Sequence, residues 1–209
     1  MEAFEVKMSR GGGVALAEAC RFFVKDDPVH RTLKKITAKL EDLGIPYAVC
    51  GGMALVAHGY DRTTVDVDLL VTRQGLEAAH KQLEGLGYVP LFSGSKNLRD
   101  TETGVRVEFL ITGGYPGDGK PKPVAFPDPA QASMRINDMS CLRLEKLIEL
   151  KLASGMTNVL RLKDLGDVIA LIQQLNLGAD FAAQLHPYVR DKYQELWQAI
   201  QEDKARGEQ

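Results

Sequence analysis

The sequence predicts an α+β protein in two parts, a mixed α/β region over residues 1–138 and a helical region over residues 139–209. Three observations carry this. The first half alternates helical and strand periodicity in the order α, β, α, β, α, β, β. Residues 113–129, "GGYPGDGKPKPVAFPDP", hold five prolines and four glycines, too many for a regular element, and read as a loop or lid. Beyond Cys141 the apolar spacing is helical, with helices expected near 140–154, 158–175 and 187–205, the last opened by Pro187.

Taken in order, residues 1–13 read as frayed, because Gly11, Gly12 and Gly13 discourage a helix. From Asp27 a helix fits. Pro28 occupies the favoured first position, and Leu33, Ile36, Leu40 and Leu43 recur at helical spacing up to Gly44. "IPYAVC" is a short buried strand, which Gly51 and Gly52 turn into a short helix, Met53 to His58. "TVDVDLLVT" alternates with period two, so that Val65, Val67 and Leu69 share one face while Asp66, Asp68 and Leu70 share the other. A helix near 74–86 follows, then "YVPLF" as a strand. "VRVEFLIT" is a clearer strand, with Arg106, Glu108 and Leu110 on one face.

With 209 residues, 44% of them hydrophobic, the chain can bury a substantial core. A net charge of −2 excludes the global positive field that draws proteins to nucleic acid without sequence preference, and no apolar run is long enough to span a membrane. The start shows no basic region followed by an apolar one, so the reading is cytoplasmic. Cys20, Cys50 and Cys141 are odd in number and widely spaced, which suits reduced core thiols rather than a disulfide framework or a zinc site. His58, His80, Tyr193 and Trp197 read as packing residues, and Lys120 and Lys122 as loop lysines.

Residues two apart on a strand lie about 6.6–6.8 Å apart and point the same way. Asp66 and Asp68 therefore project together, and Glu108 joins them if "VRVEFLIT" is a neighbouring strand. Three carboxylates that close need either raised pKa values or a cation, and hard divalent ions are the usual solution. Taken alone, a D-x-D on a strand also describes the wet face of an edge strand. Gly51 and Gly52 weigh against that, because a glycine turn opening a helix presents backbone N–H groups to an anion.

The stretch "VCGGMALVAHGYDRTTVDVDLLV" resembles the signature of the nucleotidyltransferase superfamily, whose founding fold is that of DNA polymerase beta. Gly51, Gly52, Asp66, Asp68 and Glu108 match the pattern in order, and Arg62, Thr64 and Asp66 match the R-x-T-x-D lead-in of bacterial branches. A second stretch, "EKLIELKLASGMTNVLRLKDLGDVIALIQ", resembles the helices of abortive-infection (AbiEii-type) toxin nucleotidyltransferases, with Lys151, Lys163, Asp164 and Asp167 in the matching places. Two departures stand out: Gly52 replaces a serine that often touches phosphate, and Glu108 replaces the commoner third aspartate.

The resemblance implies a small mixed sheet with flanking helices, closed on one side of a cleft by the helical region. It implies transfer of a nucleoside monophosphate from an NTP to an acceptor, with Asp66, Asp68 and Glu108 as catalytic residues and ligands of two Mg²⁺ ions. Gly51, Gly52, Arg62, Thr64, Lys151, Lys163 and Asp164 would then bind the nucleotide and its phosphates. The acceptor stays open between RNA, a protein and a small hydroxylated drug. A toxin would bring a cognate antitoxin, and a module that keeps the fold without turnover is a further alternative.

Overall fold

The computed structural model describes residues 27–60 and 62–207. The expectation of a frayed segment at 1–13 lies outside the described residues. The first element, α1 (Pro28–Asp42), starts where Asp27 accepts hydrogen bonds from the backbone N–H groups of Val29 and His30, with Pro28 at the first position. It ends at Leu43 and Gly44, the latter with φ +64°. Then come β1 (Tyr47–Cys50), α2 (Gly51–Ala57), β2 (Asp66–Val71), α3 (Arg73–Leu83), β3 (Tyr88–Pro90), β4 (Leu98–Asp100) and β5 (Arg106–Ile111). The remainder is α4 (Pro129–Ala132), β6 (Ser133–Ile136), β7 (Met139–Leu142), α5 (Leu144–Thr157), α6 (Leu162–Gln174) and α7 (Pro187–Gly207). Short 3₁₀ turns precede α6 and α7, at Val159–Arg161 and Ala179–Gln184.

The strands form one mixed seven-stranded sheet in the order β3-β4-β5-β2-β1-β7-β6. β2 pairs in parallel with β5 and antiparallel with β1, and β1 pairs in parallel with β7. The α+β class read from the sequence is the class observed. The two central strands are buried as their composition requires, with Ala48, Val49, Val67 and Leu69 fully inaccessible. On β5 the alternate residues Val107 and Phe109 are also fully buried, and Phe109 meets the ring of His80 on α3. α3 therefore covers the face opposite Glu108.

The sheet extends further along the chain than the boundary placed near residue 138. Asn137 and Asp138 both have positive φ, at 47° and 61°, and form the tight turn of the β6–β7 hairpin. The predicted helix start near 140 is thereby moved to Leu144, because residues 139–142 complete the sheet beside β1. β4 is not predicted either, because Leu98, Arg99 and Asp100 hold no β-branched or aromatic residue.

The proline-rich stretch is pinned rather than free. The N–H of Gly113 donates to the carbonyl of Phe126 at 2.8 Å, and the N–H of Phe126 donates to that of Gly114 at 2.8 Å. Lys122 donates to the carbonyl of Pro116 at 2.6 Å and to Asp118 at 2.5 Å. The stretch expected as a loop or lid is a loop held by these hydrogen bonds.

In the helical region α5 is buried on every face from Leu147 to Gly155, because α6 and α7 pack on it. Its buried Glu149 accepts a hydrogen bond from the backbone N–H of His186 at 2.7 Å and so anchors the start of α7. Among the described residues no helix is long and apolar enough to cross a membrane.

Candidate active site

The parallel register of β2 and β5 sets Asp68 opposite Glu108 and Asp66 opposite Arg106. Since side chains alternate along both strands, these four groups emerge from one face. One ligand oxygen each from Asp66, Asp68 and Glu108 lies within 4.8 Å of the others. Arg106 sits among them, its guanidinium 3.1 Å from Asp66 Oδ2 and 2.7 Å from Glu108 Oε1. Asp66 is also oriented by Thr64, whose hydroxyl donates to Oδ1 at 3.1 Å.

Asp68 lies deepest. Burial, then the neighbouring charges of Asp66 and Glu108, push its carboxyl up to about 7. The Cys50 thiol beside it is raised well above the ordinary range, first by burial and then by Asp68, so it is an inert core group. Gly51 explains how Asp68 fits. Its φ is +58°, and a Cβ there would fall 1.7 Å from Asp68 Oδ2, so the carboxylate lies where a side chain would be. A Cβ on Gly52 would meet Thr64 at 2.7–2.8 Å. The two glycines thus make room for Asp68 and Thr64, and α2 opens at Cys50 with no side-chain cap.

The helical region contributes a second charged cluster. Lys151 on α5 is buried and donates to Asp164 Oδ1 at 3.1 Å and Asp167 Oδ2 at 2.6 Å. Asp164 Oδ2 also accepts from the Ser154 hydroxyl at 2.6 Å and from Arg161 Nε at 3.0 Å. Burial alone would raise the Asp164 carboxyl, but Lys151, Ser154 and Arg161 hold it below its ordinary value. Arg62, just before β2, donates to Asp167 Oδ1 at 2.5 Å and ties the two regions together.

A cavity of about 300 Å³ lies between the acids and this cluster. Its lining includes Gly51, Asp68 and Glu108 on one side, Lys151, Ser154, Arg161 and Asp164 on another, and Tyr115, Pro116, Gly117 and Phe126 of the proline-rich wall. Lys96, between β3 and β4, reaches its edge. A larger cavity of about 530 Å³ beside α1, α2 and the β6–β7 turn has no comparable cluster of acids.

Of the residues singled out from the sequence, Gly51, Asp68, Glu108, Lys151 and Asp164 thus line one cleft, with Asp66 held beside Asp68 and Thr64 behind it. Arg62 is engaged by Asp167 instead. Lys163 is exposed and forms no ion pair with the described residues. The sequence reading sets Arg106 on the face of Glu108 without giving it a role, and gives none to Ser154, Arg161 or Lys96. Three of these carried a spacing signal: Arg106 is two residues before Glu108 on the same strand face, Ser154 is one turn after Lys151, and Arg161 is one turn before Asp164. Lys96 carried none.

This arrangement of clustered acids on paired central strands, facing a cationic helix pair, agrees with the sequence comparison. The family model described as "Uncharacterised nucleotidyltransferase" matches residues 15–190. The chain belongs to this family. No curated protein matches it. Among solved structures, the nucleotidyltransferase is similar to ANT(2'')-Ia in complex with adenylyl-2''-tobramycin, with 14% identity and a TM-score of 0.48 over 83% of this chain and 97% of that one. A solution structure of the same antibiotic-resistance factor gives 16% and 0.47, over 84% and 92%. JHP933 from Helicobacter pylori gives 16% and 0.45, over 73% and 69%.

Proposed function

We propose that this nucleotidyltransferase is Mg²⁺-dependent and moves a nucleoside monophosphate from an NTP to an acceptor hydroxyl. The observation that carries the reading is the trio Asp66, Asp68 and Glu108, with ligand oxygens within 4.8 Å of one another and with Asp68 and Glu108 on the wall of a cleft. The donor set fits the ion, since Mg²⁺ takes hard oxygen ligands and is usually held by carboxylates together with substrate phosphates. The charges agree with a cation site: burial and then its like-charged neighbours raise the Asp68 carboxyl, and a guanidinium bridges the other two acids.

In this reading Asp66, Asp68 and Glu108 hold the metal, and when bound it supplies positive charge that stabilises the attacking and leaving oxygens. Glu108 accepts the acceptor's proton. The acceptor oxygen forms a bond to the α-phosphorus as the bond to the bridging oxygen of the departing pyrophosphate breaks. The backbone at Gly51 and Gly52, with Lys151, Arg161 and Lys96, lies along the path of the triphosphate. Asp164 orients Lys151 and Arg161, Thr64 orients Asp66, and Arg62 acts at a distance by holding Asp167. Lys163 stands outside this arrangement.

For the acceptor, the reading rests on the AbiEii-type sequence resemblance alone: RNA or protein is the proposed acceptor, with an antitoxin as the restraining partner, while the ion pairs of Lys151 with Asp164 and Asp167 hold the helix pair together. The test is incubation of the protein with Mg²⁺, each labelled NTP in turn, and a cell extract fractionated into RNA, protein and small molecules. Label in RNA or protein is the expected outcome. Label confined to small molecules would assign a drug-type acceptor, and no transfer with any of the NTPs would leave a nucleotide-binding module.

A further inference from the structure

Arg106 is the one cation in ion-pair contact with the acids of the trio among the described residues, and it touches two of them at once. It comes from β5 directly opposite Asp66 and two residues before Glu108, so the sheet register itself delivers it there. We propose that Arg106 is a resident counter-ion of the acid trio, a positioning residue that holds Asp66 and Glu108 in their metal-free arrangement and competes with the divalent ion for them. This rests on the reading of the trio as a metal site.

The argument is one of charge and occupancy. With the guanidinium in place, two of the three carboxylates are already partly neutralised, and a divalent ion entering beside it meets a like charge. The acids cannot give both their oxygens to the ion and keep the guanidinium between them. Displacement is nevertheless easy, because the Arg106 side chain is 43% exposed and exposed ion pairs are weak. A polyanionic triphosphate gives the displaced guanidinium another partner. Metal alone must therefore work against Arg106, whereas metal arriving with nucleotide need not, and the two ligands bind cooperatively through this residue.

The experiment measures Mn²⁺ affinity of the intact protein by electron paramagnetic resonance, with and without a non-hydrolysable NTP, for the wild type, Arg106→Gln and Arg106→Lys. Melting of the metal-free protein is followed in parallel. Arg106→Gln is expected to melt at a lower temperature, yet to bind Mn²⁺ alone roughly three- to tenfold more tightly, as loss of two exposed pairs allows. The nucleotide should then enhance its Mn²⁺ affinity by a smaller factor than in the wild type. Arg106→Lys keeps the charge without the planar fork and should fall between the two. A side chain that merely supports the fold would lower stability and metal affinity together. Mn²⁺ binding that is unchanged or weaker in Arg106→Gln overturns the proposal while leaving the metal site standing. Failure of the wild type to bind Mn²⁺ with or without nucleotide overturns both.

Discussion

Asp68 is the residue at which the chemistry of the site and the stability of the chain oppose each other. Its carboxyl moves from the ordinary 3.8 to about 7, by burial first and then by Asp66 and Glu108. In the folded chain it therefore keeps its proton over a range in which the unfolded chain has lost one. Its contribution to metal-free stability should be greatest at acid pH and decline as pH rises through about 7. Replacing the charge by an amide removes the decline. Asp68→Asn is expected to melt higher than the wild type at neutral pH without metal, to show a flatter pH profile, and to lose nucleotidyl transfer. Melting curves of both proteins across pH with chelator, beside a transfer assay, check this; a variant that melts no higher than the wild type at neutral pH would contradict the argument. The acids themselves were legible in the sequence because a two-residue strand period is a geometric statement about which side chains share a face. The role of Gly51 was legible only in part. Glycine permits φ > 0 without announcing it, as Gly52 shows by lacking it, and that the missing side chain of Gly51 is replaced by the Asp68 carboxylate depends on the β1–β2 pairing of Cys50 with Asp68, which no local pattern encodes.

At the scale of elements, the α5–α6 pair was read correctly as helical, but its charges were read one by one. A single lysine on a helix is ordinarily solvated, and Lys151 looked no different from Lys163 in that respect. What separates them is packing: α5 is enclosed by α6 and α7, so Lys151 is buried against Asp164 and Asp167 while Lys163 stays exposed. Removing one member of a buried ion cluster leaves the others without compensation, at a cost of about 3–5 kcal/mol. Lys151→Ala should therefore lower stability by that amount, near 10 °C or more in melting temperature for a chain of this size at about 2–4 °C per kcal/mol. The Asp164 carboxyl, held below its ordinary value, contributes stability that is present at neutral pH and lost on acidification through its lowered pKa. Urea titration of Lys151→Ala settles the point. A variant with wild-type stability and only weakened nucleotide binding would make Lys151 a phosphate ligand with no part in the fold. The β6–β7 hairpin was missed at this same scale, since "MRINDMSCL" carries its turn in Asn137 and Asp138 rather than in glycine or proline.

For the whole molecule, two contacts tie the helical region to the segments around the cleft. Arg62 reaches Asp167 from the β2 side. Gly117 presses the proline-rich wall onto α5, where a Cβ would fall 2.4 Å from Thr157 Oγ1 and 2.7 Å from the Ser154 carbonyl, and its own carbonyl accepts from Asn158 at 3.2 Å. A ligand held between acids on one side and cations on the other stabilises the folded state by RT ln(1 + [L]/Kd), about 2.7 kcal/mol at a hundredfold excess over Kd. Mg²⁺ with NTP should therefore raise the melting temperature by roughly 5–10 °C, more than Mg²⁺ or NTP alone. The cleft wall makes a sharper version of the test. Gly117→Val must push the loop off α5, because φ is +77° there and the space is already filled by backbone. It leaves the acid trio untouched, so Mg²⁺ alone should act on the variant as on the wild type, while the added shift from NTP shrinks. Calorimetry of both proteins under the four ligand conditions measures this directly, and an NTP shift of full size in Gly117→Val would place the nucleotide outside the cleft between Gly51 and Lys151.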